Sequence, residues 1–274
     1  MGRQLSKYFF ILLLNCQFGF SQDQNGADDI FRPKDYKDQG QFKHFYKRRE
    51  AISRWQINQL KTGALLVRLH ENKILIDALK KRGQNDLAAL KEHEAFAMNK
   101  NIVRAFLKNY NFSKVYFFYG SKSDTILNGA RSGVFLDTNL VVDPTIKMEE
   151  KFYLIGERDY IFSSSIGYVR EDTAKYVKEV GNASKEMGVI LKNKYGHQLK
   201  DPFPYYEEAR GSLSAVTIEY FNYKGSTIKV EMPKRYSGIK YQGYISNFNN
   251  GLTKFYTANR NYEVTDPDII PFLY

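Results

Sequence analysis

The chain has 274 residues, of which 43% are hydrophobic and 26% charged, with a formal net charge of +11 and a single cysteine. That much apolar material builds a sizeable core, which excludes wholesale disorder, collagen-like and coiled-coil architectures. The basic balance invites a nucleic-acid reading, and the N-terminus redirects it.

Residues 1–22 read as a secretory signal peptide. Arg3 and Lys7 form a positive n-region, residues 8–14 an apolar h-region, and Asn15 a polar break. Gly19 and Ser21 place small residues at the −3 and −1 positions before Gln22. The apolar run is shorter than the roughly 20 residues that a transmembrane helix needs. A lipidated Cys16 is the rival reading, but Asn15 stands where such a site wants Gly, Ala or Ser. Removing the signal takes away Arg3, Lys7 and the only cysteine, leaving 39 basic against 30 acidic residues, or +9. The expected mature chain is therefore periplasmic or extracellular. It has no disulfides, no thiol nucleophile and no CxxC redox pair, so its core must hold it together.

Residues 23–40 are polar and turn-rich, and read as a flexible mature N-terminus. From Gln41 the spacing of Phe42, Phe45, Tyr46, Ile52, Trp55 and Leu60 predicts a helix, which Thr62 and Gly63 stop. Residues 63–69 read as a buried strand. Helical spacing resumes over 71–110, interrupted at Gly83, Gln84, Asn85 and Asp86. No second copy of this pair recurs at a fixed period, so a solenoid is rejected. Residues 114–119 (KVYFFY) are the clearest strand, and a short helical run follows at 125–128. The unit strand, helices, strand fits a βαβ crossover with the two strands parallel.

Beyond it, residues 133–136 and 139–142 predict a short hairpin. Residues 152–155 and 160–162 predict strands, and 172–179 a short helix. Residues 188–192 and 197–200 predict a hairpin about a Gly-containing turn. Pro202 and Pro204 close that pair, because proline cannot donate to a central ladder. Strands are expected within 213–221 and 227–230. Tyr241, Tyr244, Ile245 and Phe248 lie among Gly and Asn, and read as part of a Tyr-rich antiparallel β tail. The predicted class is α+β, with N-terminal helices, a βαβ-like front half and that tail. The expected division is a core domain over 41–206 and a β-rich extension over 207–274.

Four stretches resemble signal-peptide-bearing secreted proteins of unassigned function from Bacteroidota. They are FGFSQ at the end of the signal, LKTGALLVRL at 60–69, VYFFYGSKSDTILNG at 115–129 and GVILKNKYGHQLKDPFPYY at 188–206. The resemblance spans most of residues 55–206 and implies an exported envelope protein. It implies no catalytic residue. The order of strands and helices is also similar to a thioredoxin-like architecture. Gly120, Ser121, Lys122 and Ser123 stand where that family carries CxxC, so its redox function is not implied.

The most site-like segment is Gly120 to Asp124, directly after an apolar strand and before a helix. Ligands of α/β sheets gather at the C-terminal ends of parallel strands. Backbone amides at a helix start, with Ser121, Lys122, Ser123 and Asp124, are suited to an anion. The simpler reading is that Ser123 or Asp124 caps the helix. Neither GxxxxGK[ST] nor GxGxxG occurs. The second candidate is aromatic: the chain has 21 Tyr and 20 Phe, and Tyr205 and Tyr206, with residues 236–262, offer stacking surface to a glycan or peptide. Half-buried strand tyrosines are the simpler reading there.

His44, His70, His93 and His197 show no HExxH or HxH spacing, so no metal or cofactor is assigned. No GxSxG elbow exists, Ser163 to Ser165 read as a polar loop, and catalytic residues stay unknown. Lys47 to Arg49 and Lys80 to Arg82 are compact basic clusters, whose simplest role is a solvated helix face. Once export is granted, an envelope protein, a glycan or an anionic surface fits the positive charge better than nucleic acid does. The resulting expectation is an exported, non-catalytic binding protein. The alternative is an exported hydrolase whose site is assembled from distant residues.

Overall fold

The computed structural model describes residues 39–171 and 174–265. The signal segment, Cys16 and residues 23–38 of the expected flexible N-terminus lie outside them, and Gln39 and Gly40 of that stretch belong to the first helix. The class is α+β, as the sequence predicts. In chain order the elements are α1 (Gln39–Thr62), β1 (Ala64–Leu69), α2 (Lys73–Lys81), α3 (Asn85–Asn109), β2 (Lys114–Tyr119) and α4 (Ser123–Leu127). They continue with β3 (Tyr153–Glu171), β4 (Ala174–Lys192), β5 (Tyr206–Glu208), β6 (Val216–Tyr223), β7 (Ser226–Pro233) and α5 (Gly238–Asn259).

One sheet has the order β2-β1-β3-β4-β5. β1 is parallel to both β2 and β3, so the predicted crossover is present. Gly63 marks the junction of α1 and β1. A Cβ there would stand 2.5 Å from the Phe152 carbonyl oxygen, and the Ala64 amide donates to that same oxygen at 3.0 Å. Only glycine lets the helix end press against the start of β3.

Both faces of β1 are buried, which explains its unbroken apolar run. Leu65, Val67 and Leu69 face a core built with Ile102, Val103 and Phe106 of α3 and Tyr241, Ile245, Phe248 and Leu252 of α5. Ala64 and Leu66 face a smaller core closed by Ile126 of α4, Val134, Phe135 and Met148. β6 and β7 form a separate two-stranded sheet, joined through Lys224 and Gly225, whose Phe221, Val230 and Met232 pack on Ala97 of α3.

Four expectations are corrected. The predicted β tail is the 22-residue helix α5. Its buried side chains Tyr241, Tyr244, Ile245, Phe248 and Leu252 fall at i, i+3, i+4, i+7 and i+11, which is a helical stripe. Ser237 accepts from the Lys240 amide as its N-cap, and exposed Gly243 is tolerated because packing on α3 outweighs its poor propensity. That same packing sets Tyr241, Tyr244, Ile245, Phe248 and Leu252 of α5 in one core with β1 and α3.

The short helix expected at 172–179 is, from Ala174 onward, the start of β4, where Tyr176 and Val177 pair with Val169 and Tyr168. Ser163 to Ser165 are not a loop but ladder positions of β3, opposite Val180 to Asn182. The hairpin expected at 133–142 is reduced to the isolated bridge Leu136–Val142, because Phe118–Phe135 ties the segment to β2 instead.

Candidate functional site

β1 ends at Leu69 while β3 runs on to Glu171 with β4 beside it. The C-terminal ends of the parallel strands β2 and β1 therefore lie beside the longer β3–β4 pair, at the kind of sheet edge where ligand sites form. The charged groups of this edge come from three adjacent strands. Arg68 and Glu157 are direct partners across β1 and β3, and Arg68 donates to the Glu157 carboxylate through Nε. Lys192 of β4 pairs in register with Ile155, so its side chain lies diagonally beside Glu157 on one sheet face. Its ammonium contacts Glu157 and, at 2.9 Å, the Asp159 carboxylate.

The side chain of Glu157 is fully buried and that of Lys192 is 9% exposed. A carboxylate so deep requires its cations, because an unpaired buried charge costs several kcal/mol, of order 3–5. Burial opposes ionisation of Asp159, but the charge and hydrogen bond of Lys192 outweigh it and hold the carboxyl below its ordinary range. His70 follows β1 directly. Burial lowers its pKa, Glu157 pulls the other way, and the positive charges of Arg158 and Arg68 add to the lowering. The imidazole is thus neutral at neutral pH. Its Nε2 is buried without a hydrogen-bond partner, while its carbonyl accepts from Asn99 at 2.9 Å.

The predicted loop lies at this edge. Ser121, Lys122 and Asp124 are exposed and Ser123 is half-buried. A Cβ on Gly120 would meet the Arg68 side chain at 3.9 Å. The anion that the loop binds is its own chain's: the Ser121 amide donates to the Glu71 carboxylate at 3.3 Å. Neither Ser123 nor Asp124 is the cap. The N-cap position falls on Lys122 without a side-chain bond, and the Ser123 hydroxyl donates back to the Gly120 carbonyl at 2.7 Å.

Tyr205 and Tyr206 lie elsewhere. β5 is the sheet edge opposite to β2, four strand spacings or roughly 19 Å away. Their rings touch at 4.8 Å, yet Tyr205 is a core residue, and burial pushes its phenol up to about 12. Of the proposed stacking pair, Tyr206 alone is exposed. Tyr236, Tyr241 and Tyr244, offered for the same role, are buried as well.

Arg68, Glu157, Asp159 and Lys192 escaped the motif search because no short spacing joins them. A signal existed: Glu157, Arg158 and Asp159 stand between the apolar runs 153–155 and 160–162 of β3, and charges in a sheet interior need partners across it. Among the described residues, no three His, Cys, Asp or Glu side chains gather to hold a metal. No helix there is long and apolar enough to cross a membrane. No protein-family model matches the chain, and neither a curated protein nor a solved structure matches it significantly.

Proposed function

We propose that the chain is an exported cell-envelope protein that acts by binding rather than by catalysis. Its signal-like residues 1–22 and its resemblance to secreted Bacteroidota proteins support a periplasmic or extracellular place. The basic balance of the mature chain then suits an envelope protein, a glycan or an anionic surface, and not nucleic acid. The observation that carries the binding reading is the closure of the sheet-edge cluster. Glu157 and Asp159, its acidic groups, are both engaged by cations, so neither is placed to exchange protons with a substrate.

A hydrolase reading rests on one observation, the unpartnered Nε2 of neutral His70 beside these carboxylates. The two readings part in one experiment. The secreted chain is fractionated, its mature N-terminus is read by mass spectrometry, and it is assayed on ester, peptide and glycoside substrates alongside His70→Ala. An N-terminus at Gln22 with no turnover is the expected result. Retention of residues 1–22, or turnover that His70→Ala abolishes, overturns the reading.

A further inference from the structure

The opposite face of the same sheet end carries an excess of positive charge, half-buried at Arg158 and buried at Arg235. Residues alternate along β3, so Arg158 points away from Glu157 and toward α5. Its guanidinium lies 5.4 Å from the ring centroid of Tyr236, and that of Arg235 lies 5.3 Å from the same centroid. Two cations thus share one aromatic ring. Arg235 is 9% exposed, and its nearest carboxylate is half-exposed Glu186 at 3.8 Å, the outer limit of an ion pair. Arg158 has no carboxylate partner among the described residues. It donates instead to the Met187 sulfur at 3.7 Å, which also accepts from the Tyr236 hydroxyl at 3.6 Å. A thioether is a weak acceptor and carries no charge to offset a guanidinium.

Three donors here are left over. The Nε of Arg158, the Nε of Arg235 and the hydroxyl of Tyr241 are each buried with no hydrogen-bond partner. Tyr241 is 1% exposed, and Arg158, Tyr236, Tyr244 and Arg235 all lie within electrostatic reach of its hydroxyl. The two guanidinium groups can only donate, and the phenols around them, though their oxygens can accept, bring no negative charge. The Tyr244 hydroxyl is already spent on the carbonyls of Arg210 and Arg235, and Glu207, the next carboxylate, is bonded to Asn247.

Buried donors and buried cations are matched by acceptors and anions in stable proteins. Here the described residues offer Arg158 no carboxylate, and Arg235 only Glu186 at 3.8 Å. We propose that Arg158, Arg235 and Tyr241 form a binding site for a small oxyanion, a phosphate or carboxylate group, held between β3 and the start of α5. Guanidinium groups suit either through paired N–H donors, and a phenol supplies a third bond. Glu186 marks the open side of the site, and its contact with Arg235 is the one an incoming anion replaces. The inference stands whether or not the chain is exported.

The test is thermal melting of the full mature chain with inorganic phosphate, and separately acetate, against chloride at equal ionic strength. At about ten times Kd, the favoured anion raises Tm by about 3–6 °C. Phosphate leading acetate assigns a tetrahedral ligand, and the reverse a carboxylate. Arg158→Met and Arg235→Met each lose the rise, and Tyr241→Phe weakens binding about tenfold. Arg104→Gln removes an exposed arginine that lies over the Phe221 ring, and it keeps the full response. Direct titration calorimetry of the wild-type chain covers the case of a variant that does not fold. Absence of any wild-type response to both anions overturns the proposal. So does a response that survives Arg158→Met and Arg235→Met, or one that Arg104→Gln loses equally.

Discussion

Lys192 of β4 reaches diagonally across the sheet to the fully buried carboxylate of Glu157 on β3. Arg68 takes the same carboxylate from the other flanking strand. One acidic side chain therefore links three strands, β1, β3 and β4, at the end where the parallel part of the sheet stops.

Glu157→Gln keeps the size of the side chain and removes its charge. Lys192, 9% exposed, is left facing Asp159 alone, and Arg68 loses its partner. Breaking a buried pair by removing one member costs about 3–5 kcal/mol. Urea denaturation is expected to show that loss at an unchanged m-value. Arg68→Met costs less, because the Arg68 side chain is 30% exposed and partly screened. Equal stability of Glu157→Gln and wild type contradicts the pairing.

The acid limb of stability carries a signature of His70. Burial lowers its pKa in the fold from the ordinary value of 6.5. The unfolded chain therefore binds a proton at a higher pH than the folded chain does. Stability is complete above about pH 6.5 and falls as pH drops toward the folded pKa. Asp159, held below its ordinary 3.8, contributes stability that is lost only in more acid solution. Between about pH 7.5 and about pH 5.5, wild type is expected to lose more stability than His70→Gln. Parallel melting curves for the two chains across that interval refute the assignment.

Periodicity made the front half of the fold legible. KVYFFY at 114–119 is β2 residue for residue, and the break expected at residues 83–86 overlaps the gap at 82–84 between α2 and α3, with Asn85 and Asp86 already in the first turn of α3. Local glycine and asparagine content masked α5, although Tyr241, Tyr244, Ile245, Phe248 and Leu252 already spelled a helical stripe. That Ser121 to Asp124 follow the end of β2 is legible, because a strand end followed by a helix start is a local pattern. What they face was not legible. Glu71 occupies the Ser121 amide, and the Arg68, Glu157 and Lys192 cluster depends on a register among strands up to 124 positions apart. No window of neighbouring residues encodes such a register.

The burial of α5 in the main core predicts one cooperative unit rather than a core with an appended tail. Ile245 has no exposed surface and sits among Tyr241, Phe248 and the α3 residues. Ile245→Ala is expected to cost about 2–5 kcal/mol. The loss should register in one transition, at the same midpoint by Trp55 fluorescence and far-ultraviolet circular dichroism. Two separated transitions, with Trp55 unaffected, indicate an independent C-terminal unit.

Two glycines test how backbone contact and propensity divide. At Gly63 an added methyl meets the Phe152 oxygen at 2.5 Å and the Gln59 oxygen at 2.8 Å, both of them backbone atoms. Neither can swing aside as a side chain does, so α1 and the start of β3 must move apart. Gly63→Ala is expected to destabilise by about 1–3 kcal/mol. Gly243 is exposed within α5, and an added methyl there meets nothing within 4 Å. Gly243→Ala therefore gains helix propensity alone and stabilises by about 0.5–1 kcal/mol. Thermal melting of the two variants beside wild type should move Tm in opposite directions. A shared direction of shift breaks the distinction between a glycine required by close packing and one merely tolerated in a helix.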